Sequence, residues 1–392
     1  MLSLAENDPY PTYELLRARG QLVWDPGMAC WLALGYDLCR AIESNENTYR
    51  ILSADKTPLQ YEITGGRSAV SSLLGEPHTR MRRLYWRVLN PSVMPKYREE
   101  HVVPVVNDAI DRFEKAGRAE LVSEFTDPVP ARIMASMFGL PWRDDALLAD
   151  IQQWQRDVVA WVGMMYAEHL TAKAKHASDQ LNNLFMPLVR ERRDNRGDDL
   201  ISAIWTHAPQ DYGEVDEIDV IAIVRDMTQG AGETTTNAVA NAAYLYLTNP
   251  VVREAVSKDQ QDALNALVEE TLRLLPSPQW RFRAANQDVS LAGVTVRKDD
   301  KICLLHAAAN RDPDHYACPH ALDLDRERPT DHVAFNVGTR LCLGMHLARL
   351  QMRECLKALI NRLPNLRLDP SAEAPRFRAF SHRSFGPQHV LF

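Results

Sequence analysis

Residues 335–344 read Phe-Asn-Val-Gly-Thr-Arg-Leu-Cys-Leu-Gly, which sets Cys342 between two glycines and two residues after Arg340. From Met345 onward Leu347, Leu350, Met352, Cys355, Leu356 and Leu359 form an apolar stripe, so the cysteine is expected at or just before a helix N-terminus. Orphan N–H groups and the positive dipole end favour an anion there and lower a thiol's pKa. Gly338 and Gly344 lack a Cβ and permit a tight turn with close approach of a flat ligand. A lone cysteine is more often an inert buried residue than a ligand. In this setting, the residue types ask for a metal macrocycle above the sulfur.

A second concentration of chemistry is Gly230-Ala231-Gly232-Glu233-Thr234-Thr235-Thr236, inside a helical pattern from about Ile218 to Leu247. Each glycine in a helix interior costs roughly 1 kcal/mol relative to alanine, and a rule broken between good flanks is where a site is expected. Val224, Met227, Ala231, Thr234 and Ala238 fall on one helical face, with small residues leaving room and Thr234 pointing a hydroxyl into it. A threonine-rich packing face with an exposed glutamate explains the run equally well. Further along, Glu270 and Arg273 stand three apart in an apolar segment that ends at Pro276, a pair read as structural rather than catalytic. Near Glu76, a helix carries His78 and Arg82 four apart on one face, beside Arg80, Arg83 and Arg87. Four arginines so close usually mean a solvated face.

These residues need a scaffold, and 392 residues with 45% hydrophobic and 25% charged content supply an ordinary globular one. No linker or low-complexity tract divides the chain, so a single, mainly helical domain with small β-sheets is expected over 1–392. Strands are expected at Gln21 to Trp24 and Cys30 to Leu34, a long irregular loop at 55–76, and amphipathic helices over 101–195. Trp154, Trp161, Met165 and their neighbours recur there at helical spacing. A net charge of −7 argues against nucleic-acid binding. The N-terminus lacks a signal-peptide pattern and no segment is a long uncharged apolar run, which points to the cytoplasm and no membrane. Six scattered cysteines without a CxxC pair disfavour a disulfide framework or structural zinc.

The loop of Phe335, Gly338, Arg340, Cys342 and Gly344 resembles the haem-binding signature of the cytochrome P-450 family, in its soluble bacterial form, with Asn336 where glycine is usual. The 230–236 run is similar to that family's oxygen-binding helix, with Ala231 replacing a glycine. The resemblance implies the family fold, with haem b buried between a long distal helix and the proximal cysteine loop and helix. Cys342 becomes the axial iron ligand, with Phe335 beside the sulfur. His78, Arg82, Arg283 and Arg340 become partners of the haem propionates, and Glu233 and Thr234 the acid and alcohol that handle protons and O2. Glu270 and Arg273 match a buried pair locked to a third residue further on.

The function so implied is a monooxygenase that inserts one oxygen atom of O2 into a small apolar organic substrate. Electrons come from separate proteins, a ferredoxin and its reductase or equivalent donors, with Arg80, Arg83, Arg349 and Arg353 as a docking patch. Val224, Met227, Ala231, Gln279, Trp280, Phe380 and Phe385 are candidate pocket residues, and no ion-pairing group for the substrate stands out. A haem protein using peroxide or catalysing isomerisation or reduction, and a non-catalytic haem sensor, remain the alternatives.

Overall fold

The computed structural model describes residues 8–66, 68–164, 166–379 and 381–392; Met165 and Phe380, both named above, lie outside the described residues. After helix α1 (Tyr10–Arg17), strands β1 (Leu22–Asp25) and β2 (Cys30–Ala33) pair antiparallel, with Leu22 opposite Ala33. They join β3 (Tyr49–Ile51), β4 (Arg281–Ala285) and β5 (Lys301–Leu304) in a sheet of order β1-β2-β5-β4-β3. Only the β2–β5 pairing is parallel.

Helices dominate the rest: α2 (Gly75–Leu89), α3 (Asp145–Gly163), α4 (Glu168–Asp194), α5 (Glu217–Ala231), α6 (Glu233–Thr248), α7 (Gln260–Leu274) and α8 (Met345–Arg362). A two-stranded sheet, β6 (Arg376–Arg378) with β7 (Ser384–Gly386), lies near the C-terminus. Each helix buries the stripe its sequence offers. In α2 the inward residues are His78, Met81, Leu84, Tyr85, Val88 and Leu89, the spacing of a single helical face. The main core gathers such stripes from α2, α5, α6, α7 and α8.

Two expectations change. The stretch 55–76 is not wholly irregular, because Pro58–Ile63 is helical, with Thr57 and Gln60 bonded reciprocally as a capping box. The distal helix is two helices. It breaks at Gly232 (φ −71°, ψ −95°), where a Cβ would lie 3.1 Å from Gln155 Oε1 of α3. The helix-poor residues there end one helix and begin another instead of being carried through.

Buried charges tie the layers together. Arg273 donates from Nε and Nη2 to both carboxylate oxygens of Glu270 (2.6 and 2.8 Å), Arg326 Nε adds a 2.9 Å bond to Glu270, and Arg273 also reaches the carbonyls of Asn310, Pro319 and Ala321. Arg326 is therefore the third residue that the Glu270–Arg273 pair was expected to have. The adjacent residue of α7, Glu269, receives Arg349 of α8 (2.6 and 2.8 Å) and lies 3.2 Å from His332 Nε2. On the opposite side, buried Arg225 of α5 donates to Ile63 O (2.7 Å) and to Ser178 Oγ (2.9 Å) and Asn182 Oδ1 (3.1 Å) of α4.

Candidate active site

Cys342 sits two residues before Gly344, the N-cap of α8. Its N–H donates to Phe335 O (2.8 Å), closing the loop. Gly338 (φ +65°) has a left-handed backbone, and a Cβ there would meet Ser44 Cα at 3.2 Å. Asn336 takes φ +58°, which asparagine tolerates better than most residues; this explains how it replaces the usual glycine without changing the turn. A buried carboxylate, Glu43, holds the loop from behind through Val337 N (3.1 Å), while also bonding His306 (2.9 Å) and pairing with Arg283 (3.6 Å).

The expectation of a lowered thiol pKa is not met. Burial pushes the Cys342 thiol above its ordinary value, although the Gly344 N–H, Arg281, Arg82 and Arg349 act in the opposite direction. Desolvation outweighs the dipole because the residue lies inside the fold. Coordination to a metal ion would reverse the balance, since a coordinating thiol is deprotonated outright.

The distal wall is built differently from its apolar pattern. Val224 and Met227 are buried in the main core. On another face Gly230 is exposed and Thr234, four residues on, is half-buried. A Cβ on Gly230 would find no atom within 4 Å. Across the break, Thr234 Oγ1 donates to Gly230 O (2.9 Å), and Ala231 is the last residue of α5, only partly buried. Asp226 accepts from Ser71 Oγ (2.6 Å) and Tyr85 OH (2.9 Å), and burial raises its pKa. Glu233 opens α6 with its pKa also raised by burial; Arg156 lowers it and Asp127 raises it.

Three arginines and a histidine meet beside the loop. Arg82 and His78 of α2 and Arg340 are close enough to repel one another, and Arg283 senses Arg340 and Glu46. Burial, then Arg340, push His78 down to about 4, with Glu46 opposing. Arg340 is fixed by Glu46 (2.8 Å) and Leu73 O (2.7 Å), and Arg283 by Glu43, whereas Arg82 has no carboxylate partner among the described residues. A half-buried cluster with this excess of positive charge suits an anionic guest. Together with a glycine-flanked sulfur and an open step at Gly230, it fits a flat macrocycle bearing two carboxylates.

Other expected site residues go elsewhere. Trp280 packs with Tyr13, Leu16, Leu32 and Cys303. Phe385 stacks on Tyr244 with centroids 3.6 Å apart, and Tyr244 lies ten residues, roughly 15 Å along α6, beyond Thr234. Gln279 is buried, donating to Pro276 O (2.6 Å), and its Oε1 has no partner. Trp161 belongs to a separate cluster with Ile63, Ala174 and Ala177 between α3 and α4. The expected docking patch is interrupted: Arg349 turns inward onto Glu269 and over the Phe335 ring (4.7 Å), and Arg80 is held by Glu76 (2.7 Å). Two residues that no sequence motif marked stand close together here: Arg281, which acts on the Cys342 sulfur, and His382, which acts on Arg281.

A family model for Cytochrome P450 matches residues 75–378. The chain is 30% identical over 386 residues to pentalenic acid synthase of Streptomyces avermitilis, covering 95% of this chain and 91% of that protein. It is 29% identical over 374 residues to cytochrome P450 monooxygenase PikC of Streptomyces venezuelae, covering 93% and 86%. Among solved structures, CalO2 superposes with a TM-score of 0.85 at 26% identity (98% and 96% covered). P450BioI, solved with a fatty-acyl acyl carrier protein, superposes with a TM-score of 0.88 at 24% identity (98% of both chains). Among the described residues no helix is long and apolar enough to cross a membrane.

Proposed function

This chain belongs to the cytochrome P450 family and is a haem-thiolate monooxygenase acting on an organic substrate, and we propose that Cys342 is its axial ligand, with haem b as the cofactor. When bound, the haem supplies activation of O2 and oxygen transfer, and a thiolate ligand favours O–O cleavage. The chain's own residues bind, orient and move protons. His78, Arg82, Arg283 and Arg340 hold the propionates, Phe335 closes the loop beside the sulfur, and Gly344 keeps the approach to Cys342 clear. The convergence of three arginines and a hydrogen-bonding histidine beside the Cys342 loop is the observation that carries this reading.

On the distal side, Thr234 already donates to Gly230 O at 2.9 Å, a bond it can exchange for one to the incoming oxygen. Glu233 starts the following helix, and its raised pKa suits a group that passes protons inward from the Arg156 and Asp127 side. That acid–alcohol pair favours O2 chemistry over peroxide use, isomerisation or oxygen sensing, which have less need of a proton relay. The chain acts as one domain over 1–392, in the cytoplasm, with electrons from a ferredoxin and its reductase. The docking surface rests on Arg83 and the exposed Trp86 rather than on Arg349.

Two measurements test this. Cys342→Ser should abolish the long-wavelength absorption of the reduced carbon monoxide complex, and an unchanged spectrum would sink the ligand assignment. Wild-type protein supplied with NAD(P)H, ferredoxin, reductase and O2 should oxygenate an apolar probe; product formed only with added peroxide would favour the alternative.

A further inference from the structure

Residues 277–279 and 381–383 run antiparallel. Gln279 N donates to Ser381 O (2.9 Å), Arg383 N donates to Ser277 O (2.9 Å), and Pro278 forms a bridge with His382. This pairing sets His382 against the entry to β4, whose first residue is Arg281, opposite buried Leu304. Among the described residues Arg281 makes one hydrogen bond, Nη1 to its neighbour Trp280 O (3.1 Å), and has no carboxylate within ion-pair distance. His382 uses Nδ1 toward Ser381 Oγ (3.2 Å), and its Nε2 has no partner among the described residues. A Cβ on Gly163, the last residue of α3, would lie 3.9 Å from Ser381 Oγ, so the end of α3 approaches this segment.

The propionate-facing residues overlap with this pair only at Arg283. His78, Arg82, Arg340 and Glu46 act on one another and Arg283 on Arg340 and Glu46, whereas Arg281 senses Glu43, Cys342 and Arg283, and His382 senses Arg281 alone. Two haem carboxylates are matched by the first set. A half-buried cation whose one hydrogen bond goes to a carbonyl, and whose nearest carboxylate, Glu43, is already shared with Arg283 and His306, leaves room for a closer anion.

We propose that Arg281 and His382 form a receptor for the carboxylate of the substrate, which is therefore an organic acid with an apolar body. Guanidinium and carboxylate match as a bidentate pair, and His382 Nε2 adds a donor to the same group. The proposal rests on the haem-thiolate reading, and it overturns the expectation that no ion-pairing group awaits the substrate.

The test uses the holoenzyme and a homologous series of ω-imidazolyl carboxylic acids, about four to twelve carbons long, each against its methyl ester. The imidazole ligates haem iron whatever the protein's natural substrate, so a Soret shift reports binding. At the best chain length the acid should bind at least ~10-fold tighter than its ester. Arg281→Met should weaken the acid by ~30-fold or more, as losing one partner of a desolvated charge pair does, with the ester unchanged. His382→Phe should weaken it ~5-fold, about one hydrogen bond. Haem-to-protein ratio should be the same in all variants. Equal binding of acid and ester at every length overturns the proposal, and so does loss of haem from Arg281→Met, which would assign Arg281 to a propionate. Absence of any Soret shift with either probe would instead overturn the haem-thiolate reading on which it rests.

Discussion

Glu269→Gln keeps the side chain's shape and removes its charge, so it isolates what one buried carboxylate contributes to holding α7, α8 and the cysteine loop together. Burial by itself would raise the Glu269 pKa from 4.5, but Arg349 and His332 bring it down to about 2. Each pKa unit corresponds to ~1.4 kcal/mol of linkage, so the charged form contributes ~3 kcal/mol near neutral pH; the side chain is only 9% exposed, so solvent screening takes little of it. Because the folded pKa is depressed, the contribution is fully present above the unfolded value of 4.5 and is lost as pH falls toward 2. Linkage leaves ~2 kcal/mol of it at about pH 3.5. Urea titrations of wild type and variant, followed by far-UV circular dichroism, should give a stability gap of ~3 kcal/mol or slightly more at about pH 7, since Arg349 is also left unpaired. The gap should narrow in acid. Equal midpoints at neutral pH, or a gap that widens on acidification, would refute the reasoning.

Thr234→Ala should still consume reducing equivalents but divert them to hydrogen peroxide, measured as the ratio of product to NAD(P)H oxidised; full coupling would remove Thr234 from proton handling. Gly230→Ala meets no atom within 4 Å, so it should raise the thermal midpoint through up to ~1 kcal/mol of helix propensity, whereas Gly230→Phe should lower haem content with the far-UV spectrum unchanged. Retention of full haem by Gly230→Phe would show that the open step is not where the macrocycle lies. Arg273→Leu leaves buried Glu270 with Arg326 and the Asp323 N–H alone and should cost ~3 kcal/mol; a variant with wild-type urea midpoint would show that the pair is not the lock described.

What could be read from the chain alone was local. Cys342, its glycines, the His78–Arg82 spacing and Glu270–Arg273 lie within single short segments, where a side chain's spacing fixes its neighbours. The partners were invisible because they come from far along the chain: Arg340 meets Glu46, Arg349 meets Glu269, and Glu43 meets Val337. The wrong face of α5 has a clearer cause. An apolar stripe marks what packs against protein, so Val224 and Met227 went to the core, while Gly230 was left exposed and Thr234 half-buried. Arg281 and His382 belong to no motif, and only the bridge between Pro278 and His382 brings their segments together.

The discontinuity at Gly232 divides the distal wall into two bodies with different attachments. Arg225 fastens the first half to α4 and to the helix at 58–63, while the second half packs with α7 and α8, on the side of the fold that carries Cys342. Displacing α4 would therefore strain the chain at one residue, and that residue immediately precedes Glu233 and Thr234. In mechanical terms the layer fastened through Arg225 and the Glu233–Thr234 pair meet at a single hinge pin.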